Sequence, residues 1–169
     1  MNWKSVSAIP GVVITPMTKH EDSRGWLVEI WRGDEALHVP RMAYASCTKP
    51  GVVRGPHAHR DQTDMFAFLG FQPWNLRLWD SRPSFPSYGT CVTMRIVNPT
   101  IVTVPPGIVH AYANAGSELA LVVNLPDRLY AGAGKHEPVD EIRYEGNPMF
   151  QVEQLAAWMP GDDANETHP

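Results

Sequence analysis

Short apolar runs rich in β-branched and aromatic residues recur along the chain, each bounded by Pro, Gly, Ser or Asn. This punctuation predicts strands rather than helices. Strands are expected over residues 12–18, 25–31, 41–48, 51–59, 64–69, 75–80, 91–97, 101–104, 109–114 and 119–124. Several are apolar on both faces, as when a sheet is covered on its outer side by a second layer or a partner subunit. A homodimer is therefore expected. Residues 81–89 read as a turn-rich loop, and residues 151–159 carry an amphipathic helical pattern that ends at Pro160. The pattern is an all-β domain over residues 1–160 with a short C-terminal helix, followed by a polar tail, 161–169, expected to fray. There is no repeat and no internal linker.

Composition supports one core: 43% of the 169 residues are apolar, enough for a single domain of this length. Lys and Arg number 14 against 18 acidic residues, with net charge −4 and no basic run. Nucleic acid and anionic membranes are not expected partners. Cys47 and Cys91 are too few for a disulfide framework, and their apolar surroundings predict buried thiols. The start, Met1-Asn2-Trp3-Lys4-Ser5, lacks the charged and apolar segments of a leader, and no apolar run reaches membrane-spanning length. A cytoplasmic protein is expected.

The chemistry concentrates in two segments. Gly51-Val52-Val53-Arg54-Gly55-Pro56-His57-Ala58-His59 is followed by Asp64, and Pro105-Pro106-Gly107-Ile108-Val109-His110 by Asn114. Histidines two apart on a strand project from one face, and His110 after its Pro-x-Gly turn can meet them across a sheet. Three imidazoles and a carboxylate suit a divalent metal or proton transfer on a small molecule. As ligands, His57, His59, Asp64 and His110 would accept Zn, Fe, Mn or Ni alike. His20, His38, His136 and His168 lack such company and read as surface residues.

These two segments resemble the paired motifs of the cupin superfamily, with Asp64 where cupins usually carry glutamate. The resemblance implies a jelly-roll β-barrel or sandwich with the four side chains in its mouth. A longer resemblance, in order along the chain, is to the dTDP-4-dehydrorhamnose 3,5-epimerases. It is carried by Asp22-Ser23-Arg24-Gly25-Trp26-Leu27-Val28-Glu29, Val53-Arg54-Gly55-Pro56-His57, Trp79-Asp80-Ser81-Arg82 and Val104-Pro105-Pro106-Gly107-Ile108-Val109-His110. It implies a homologous enzyme acting on a nucleotide-linked 4-keto sugar without a nucleotide cofactor. His57 would be the base, Arg54 would sit beside it on the substrate, and Arg24 and Glu29 would hold the nucleotide. Arg41 is a further candidate for the diphosphate, Tyr112 for substrate contact, and Trp26, Phe71 or Trp74 for base stacking.

The chain also departs from that family. Its opposite-face acid, a tyrosine, aligns with Val123; Tyr130 is the candidate replacement, beside the hydroxyls of Tyr88 and Tyr112. The family's base-orienting aspartate is met by Gly146-Asn147-Pro148, and its lysine by Asp64. Losing a cation while gaining a carboxylate and His59 moves the pocket toward a divalent metal. Three readings follow. The first is an epimerase or isomerase of the 3,5-epimerase type using histidine-mediated proton abstraction. The others are a metal-dependent cupin enzyme, such as a dioxygenase or carbohydrate isomerase, and a non-catalytic sugar-binding cupin.

Overall fold

The structure is a computed structural model that describes residues 5–34 and 38–161. Its strands, in chain order, are β1 Ser5–Val6, β2 Val13–Pro16, β3 Lys19–Asp22, β4 Gly25–Val28, β5 Tyr44–Thr48, β6 Val53–Ala58, β7 Asp64–Phe68, β8 Trp74–Asp80, β9 Cys91–Ile96, β10 Thr100–Val104, β11 Ile108–Asn114, β12 Ala120–Asn124 and β13 Ile142–Arg143. All pairings are antiparallel. One sheet has the order β1-β2-β10-β7-β12-β5, the second β13-β6-β11-β8-β9, and β3-β4 form a separate hairpin. The result is the jelly-roll β-sandwich that the motifs implied.

Period-two alternation explains why the sheets face each other. Phe66 and Phe68 of β7, Val102 and Val104 of β10 and Val122 of β12 meet Trp74, Leu76 and Leu78 of β8 and Ile108 and Tyr112 of β11 in one buried cluster. The alternate residues of the five-stranded sheet, Trp79, Val109, Ala111 and Ala113, are buried too, but beneath Phe150 and Leu155. The chain's own C-terminal segment is therefore the second layer over that sheet. Asn75, fully buried, fastens it by donating from Nδ2 to the carbonyls of Leu155 and Trp158, at 2.8 and 2.9 Å.

Two expectations are corrected here. Residues 151–159 form successive turns closed by i to i−3 bonds, Leu155 N to Val152 O and Ala157 N to Gln154 O, rather than a continuous helix. Docking of Phe150, Leu155 and Trp158 on the sheet decides their geometry, not helical period. Cys47 and Cys91 are exposed. Each lies on an edge strand of a different sheet, where the outward face is uncovered. The tail beyond Gly161 lies outside the described residues.

The Trp79-Asp80-Ser81-Arg82 block is structural. Asp80 accepts from Arg82 Nε at 2.8 Å and Nη2 at 2.6 Å, and from Ser87 Oγ at 2.5 Å. Ser81 Oγ reaches the Gly107 carbonyl at 2.8 Å, and Gly107 N donates to the His59 carbonyl at 2.9 Å. The block thus fixes the turn that leads into His110. Hydrogen bonds from Arg82 and Ser87, against burial, hold the Asp80 carboxyl down to about 2. A carboxyl depressed on folding adds stability above its unfolded value, roughly 4, and this is lost as pH falls through the folded value. Asp80→Asn is expected to cost about 2 kcal/mol at neutral pH, with a difference from the parent that fades toward pH 2. Urea denaturation at several pH values measures it; a pH-independent difference would contradict the assignment.

Candidate active site

Two neighbouring strands carry the histidines. β6 and β11 pair so that His57 and His110 are direct partners, and the register shifts between His110 and Tyr112. Gly55 makes this close approach possible: its φ is +86°, and a Cβ there would stand 2.5 Å from the His110 carbonyl oxygen. Asp64 enters from the facing sheet as the first residue of β7. The side chains converge as the spacing predicted, with one donor atom from each of His57, His59, Asp64 and His110 within 4.8 Å of the others.

Hydrogen-bond directions fix what these atoms can do. His110 Nδ1 lies 3.0 Å from the Ile108 carbonyl, which can only accept, so Nδ1 carries the proton and Nε2 the lone pair. His57 Nε2, 3.0 Å from His110 Nε2, then donates, which leaves Nδ1 as the basic nitrogen of His57. The Asp140 carbonyl holds His59 Nδ1 in the same way. Asp64 Oδ1 accepts from Asn124 Nδ2 at 2.8 Å and Gln62 Nε2 at 2.9 Å. Its Oδ2 is buried with no hydrogen-bond partner among the described residues, although His59 Nε2 is 3.0 Å and His110 Nε2 3.4 Å away. Lone pairs facing a carboxylate require a positive charge, either a proton on His59 or a metal cation.

The electrostatics agree. Burial, then the neighbouring His110, hold His57 well below the usual imidazole range, at about 3, which keeps it neutral at pH 7 but makes it a weaker base than a free imidazole. Burial lowers His110 likewise. Burial also pushes His59 down, but Asp64 more than offsets it and raises His59 overall. Asp64 is held down to about 2: burial opposes ionisation, and His59 and His110 overcome it.

His57 and His59 open onto a cavity of about 1180 Å³ whose wall also includes Arg54, Tyr44, Tyr112 and Tyr130. That exceeds the roughly 300–1,000 Å³ of ordinary small-molecule pockets and suits a bulky ligand. Arg54 is braced by Thr48 Oγ1 at 2.7 Å and the Cys47 carbonyl at 2.9 Å, leaving Nη1 for a ligand. Arg41 lines the same cavity. Tyr112 lines it too, but its ring packs on Phe66, Phe68 and Trp74. Tyr130 stands at the rim, 55% exposed.

Arg24 and Glu29 are not brought into this cavity. Arg24, 88% exposed, turns back on Asp22 at 2.6 Å at the tip of the β3-β4 hairpin, and Glu29 pairs with Arg32. The hairpin pairs only with itself, so nothing in the strand ladder carries it toward the histidines. Val123 faces away from the core, as its neighbours Val122 and Asn124 are buried on the inner face. Asn147 builds a turn with Met149 and Phe150.

Sequence reasoning missed Tyr44, Asn124, Gln62 and Asp140. Asp140 holds the 60–62 loop, accepting from the backbone N–H groups of Arg60, Asp61 and Gln62 at 2.8 to 2.9 Å while its carbonyl fixes His59. Tyr44 hydroxyl accepts from Asn124 Nδ2 at 2.9 Å. Period two along the predicted 41–48 strand was the available signal, because it puts Tyr44, Ser46 and Thr48 on one face.

Comparison with known proteins agrees with this architecture. A family profile described as dTDP-4-dehydrorhamnose 3,5-epimerase matches residues 6–138. The chain is 33% identical over 140 residues to the probable low-salt glycan biosynthesis epimerase Agl13 of Haloferax volcanii, covering 80% of this chain and 86% of that protein. It is 32% identical over 112 residues to the spore coat polysaccharide biosynthesis protein SpsL of Bacillus subtilis, covering 64% and 73%. Among solved structures, the dTDP sugar isomerase of Desulfovibrio desulfuricans superposes with a TM-score of 0.75 at 20% identity, covering 89% of this chain and 97% of that one. The Legionella pneumophila RmlC in complex with dTDP-4-keto-L-rhamnose gives 0.73 at 18%, covering 88% and 81%.

Proposed function

This chain belongs to the dTDP-4-dehydrorhamnose 3,5-epimerase family, and on that footing we propose that it epimerises a nucleotide-linked 4-keto sugar, with His57 as the base. The observation that carries the reading is an imidazole in the wall of a large cavity, its Nε2 engaged by His110 and its Nδ1 left free, with Arg54 of the same strand lining that cavity. A 4-keto group acidifies the hydrogens on the flanking ring carbons. His57 removes one through its unprotonated nitrogen, the electron pair moves into the carbonyl, and the enolate oxygen is met by a cation or hydrogen-bond donor. Arg54 and Arg41 are two of the four arginines lining the cavity, with Arg128 and Arg143, and are the candidates for the oxyanion or the diphosphate. Proton NMR of dTDP-4-dehydrorhamnose with the protein in heavy water tests this. Signals of the hydrogens beside the ketone are expected to disappear; their persistence with this and other 4-keto sugar nucleotides would sink the reading.

A cytoplasmic homodimer completes the proposal. Arg24 and Glu29 sit on an exposed hairpin, with Leu27 59% exposed between them, where they serve no pocket of their own chain that holds the histidines. In a dimer, that hairpin can deliver Arg24 to the diphosphate end of the second copy's cavity. Arg24→Ala is then expected to raise KM about 10-fold or more with kcat little changed, as loss of one charged contact to a phosphate would do. Steady-state kinetics check it, and sedimentation checks the dimer; an unchanged KM would remove Arg24 from the site.

One observation favours a second reading. The buried Oδ2 of Asp64, which has no hydrogen bond among the described residues and lies 3.0 Å from His59 Nε2, together with donor atoms of three histidines within 4.8 Å of one another, is a donor set that suits a divalent cation. His57, His59, Asp64 and His110 would hold Zn, Fe, Mn or Ni. Such an ion, when bound, supplies Lewis-acid polarisation of a ketone oxygen. The two readings part at His57, which cannot be both ligand and free base.

A further inference from the structure

An epimerase needs a proton donor on the face opposite its base, and the tyrosine position of the family is filled by Val123, which faces away from the core. We propose that Tyr44 is that donor. This rests on the epimerase reading above and names the residue that completes it.

Topology selects Tyr44 among the tyrosines. His57 stands on β6 of the five-stranded sheet, and Tyr44 on β5 of the six-stranded sheet, so both line the cavity from opposite sheets of the sandwich. Tyr112 shares the sheet of His57, and its ring belongs to the core cluster. Tyr130 follows β12 in a loop at the rim. Tyr44 is 45% exposed, so a ligand in the cavity can reach it.

Hydrogen-bond direction then assigns the proton. Met65 N donates to Asn124 Oδ1 at 3.2 Å, which fixes the amide so that Nδ2 faces the other way. One Nδ2 hydrogen goes to Asp64 Oδ1 at 2.8 Å and the other to the Tyr44 hydroxyl at 2.9 Å. The hydroxyl is thus an acceptor toward Asn124 and keeps its own hydrogen for a ligand. Burial pushes the Tyr44 hydroxyl up to about 12, so it holds its hydrogen at neutral pH, and once that hydrogen leaves the same Asn124 N–H offsets part of the cost of the phenolate. The amide joins Tyr44 to the carboxylate that faces the histidines, placing the acid and base ends of the site on one connected frame.

The step balances. His57 takes the proton from the ring carbon, giving imidazolium and enolate. The Tyr44 O–H bond breaks as a C–H bond forms on the opposite face, the carbonyl re-forms, and a phenolate remains. Water returns Tyr44 its proton and removes one from His57. No oxidant or cofactor enters.

The test separates proton removal from inversion. With dTDP-4-dehydrorhamnose in heavy water, the parent protein should both exchange and invert. Y44F, confirmed folded by circular dichroism and by binding of dTDP, should still exchange, since His57 can return a deuteron to the face it took from. Its ratio of inversion to exchange should fall by about 100-fold or more, the usual scale for loss of a general acid. Should Y44F not fold, 4-aminophenylalanine at position 44 keeps the shape and a polar group but is far too weak an acid, and carries the same expectations. Inversion at the parent ratio would overturn the proposal, and so would loss of exchange together with inversion in a folded variant that binds dTDP. Absence of exchange in the parent protein would instead refute the epimerase reading beneath it.

Discussion

Replacing His57 by glutamine is expected to lower the rate of ring-hydrogen exchange by about 10³-fold or more, within the range for loss of a general base, while dTDP binding changes little. The substitution is chosen for what it preserves. His57 donates from Nε2 to His110 Nε2, and a glutamine amide can supply that N–H while offering no basic nitrogen. The β6-β11 pairing and the Gly55 approach are backbone features that the change does not touch. Exchange followed by NMR, with dTDP affinity by calorimetry, separates loss of the base from loss of the pocket. Residual exchange above one tenth of the parent rate would place the base elsewhere.

The second large effect concerns the candidate cation site formed by His57, His59, Asp64 and His110. On the metal reading, protein purified without chelator carries about one divalent ion per chain, and Asp64→Asn lowers the affinity for it by about 100-fold or more, since a charged ligand is lost outright. Asparagine keeps the shape, and its Oδ1 still accepts from Asn124 and Gln62. A collapsed fold is therefore not the expected cause of any loss. Elemental mass spectrometry of both proteins decides it. One ion in the parent and none in the variant makes Asp64 a metal ligand and establishes a metal centre beside His57, in favour of the second reading. No ion in the parent, even after loading with Zn, Fe, Mn or Ni, leaves His59 protonated against Asp64, a pairing that the raised imidazole and the depressed carboxyl already favour.

How much of this was legible beforehand depends on the range of the interaction involved. The ten expected strands fall on β2 and β4 to β12 because each alternates or is continuously apolar. β3 was not read: Lys19-His20-Glu21-Asp22 is exposed throughout and has no apolar face to betray a strand. β1 and β13 are two residues each, defined by their partners rather than by any pattern of their own. The 151–159 segment has apolar spacing that fits a helix, but Asn75, some 80 positions earlier, captures its carbonyls and holds turns in place.

The site divides in the same way. His57, His59, Asp64 and His110 were readable because two-residue spacing and a Pro-x-Gly turn are local signals of a shared face. Arg24 and Glu29 came from the family resemblance, and the isolated fold puts their hairpin apart from the histidines, so their part in the reading depends on a second copy. Tyr44 carries one local signal, the period-two face it shares with Ser46 and Thr48, and that signal says nothing of chemistry. The meaning of Tyr44 comes from Asn124, 80 residues away in sequence, and from the facing of two sheets. Tyr130 was the candidate acid because it lies near the family position in sequence, yet its 55% exposure at the rim places it on neither sheet.

The central claim is that the sugar ring lies between His57 of one sheet and Tyr44 of the other. A crystal structure of the protein with dTDP-4-dehydrorhamnose tests it most directly. The ketone-bearing ring is expected in the cavity, with a carbon beside the ketone facing His57 on one side and the Tyr44 hydroxyl on the other, and Arg54 against its oxygens. A sugar bound elsewhere, or lying with both residues on the same side of the ring, would contradict it.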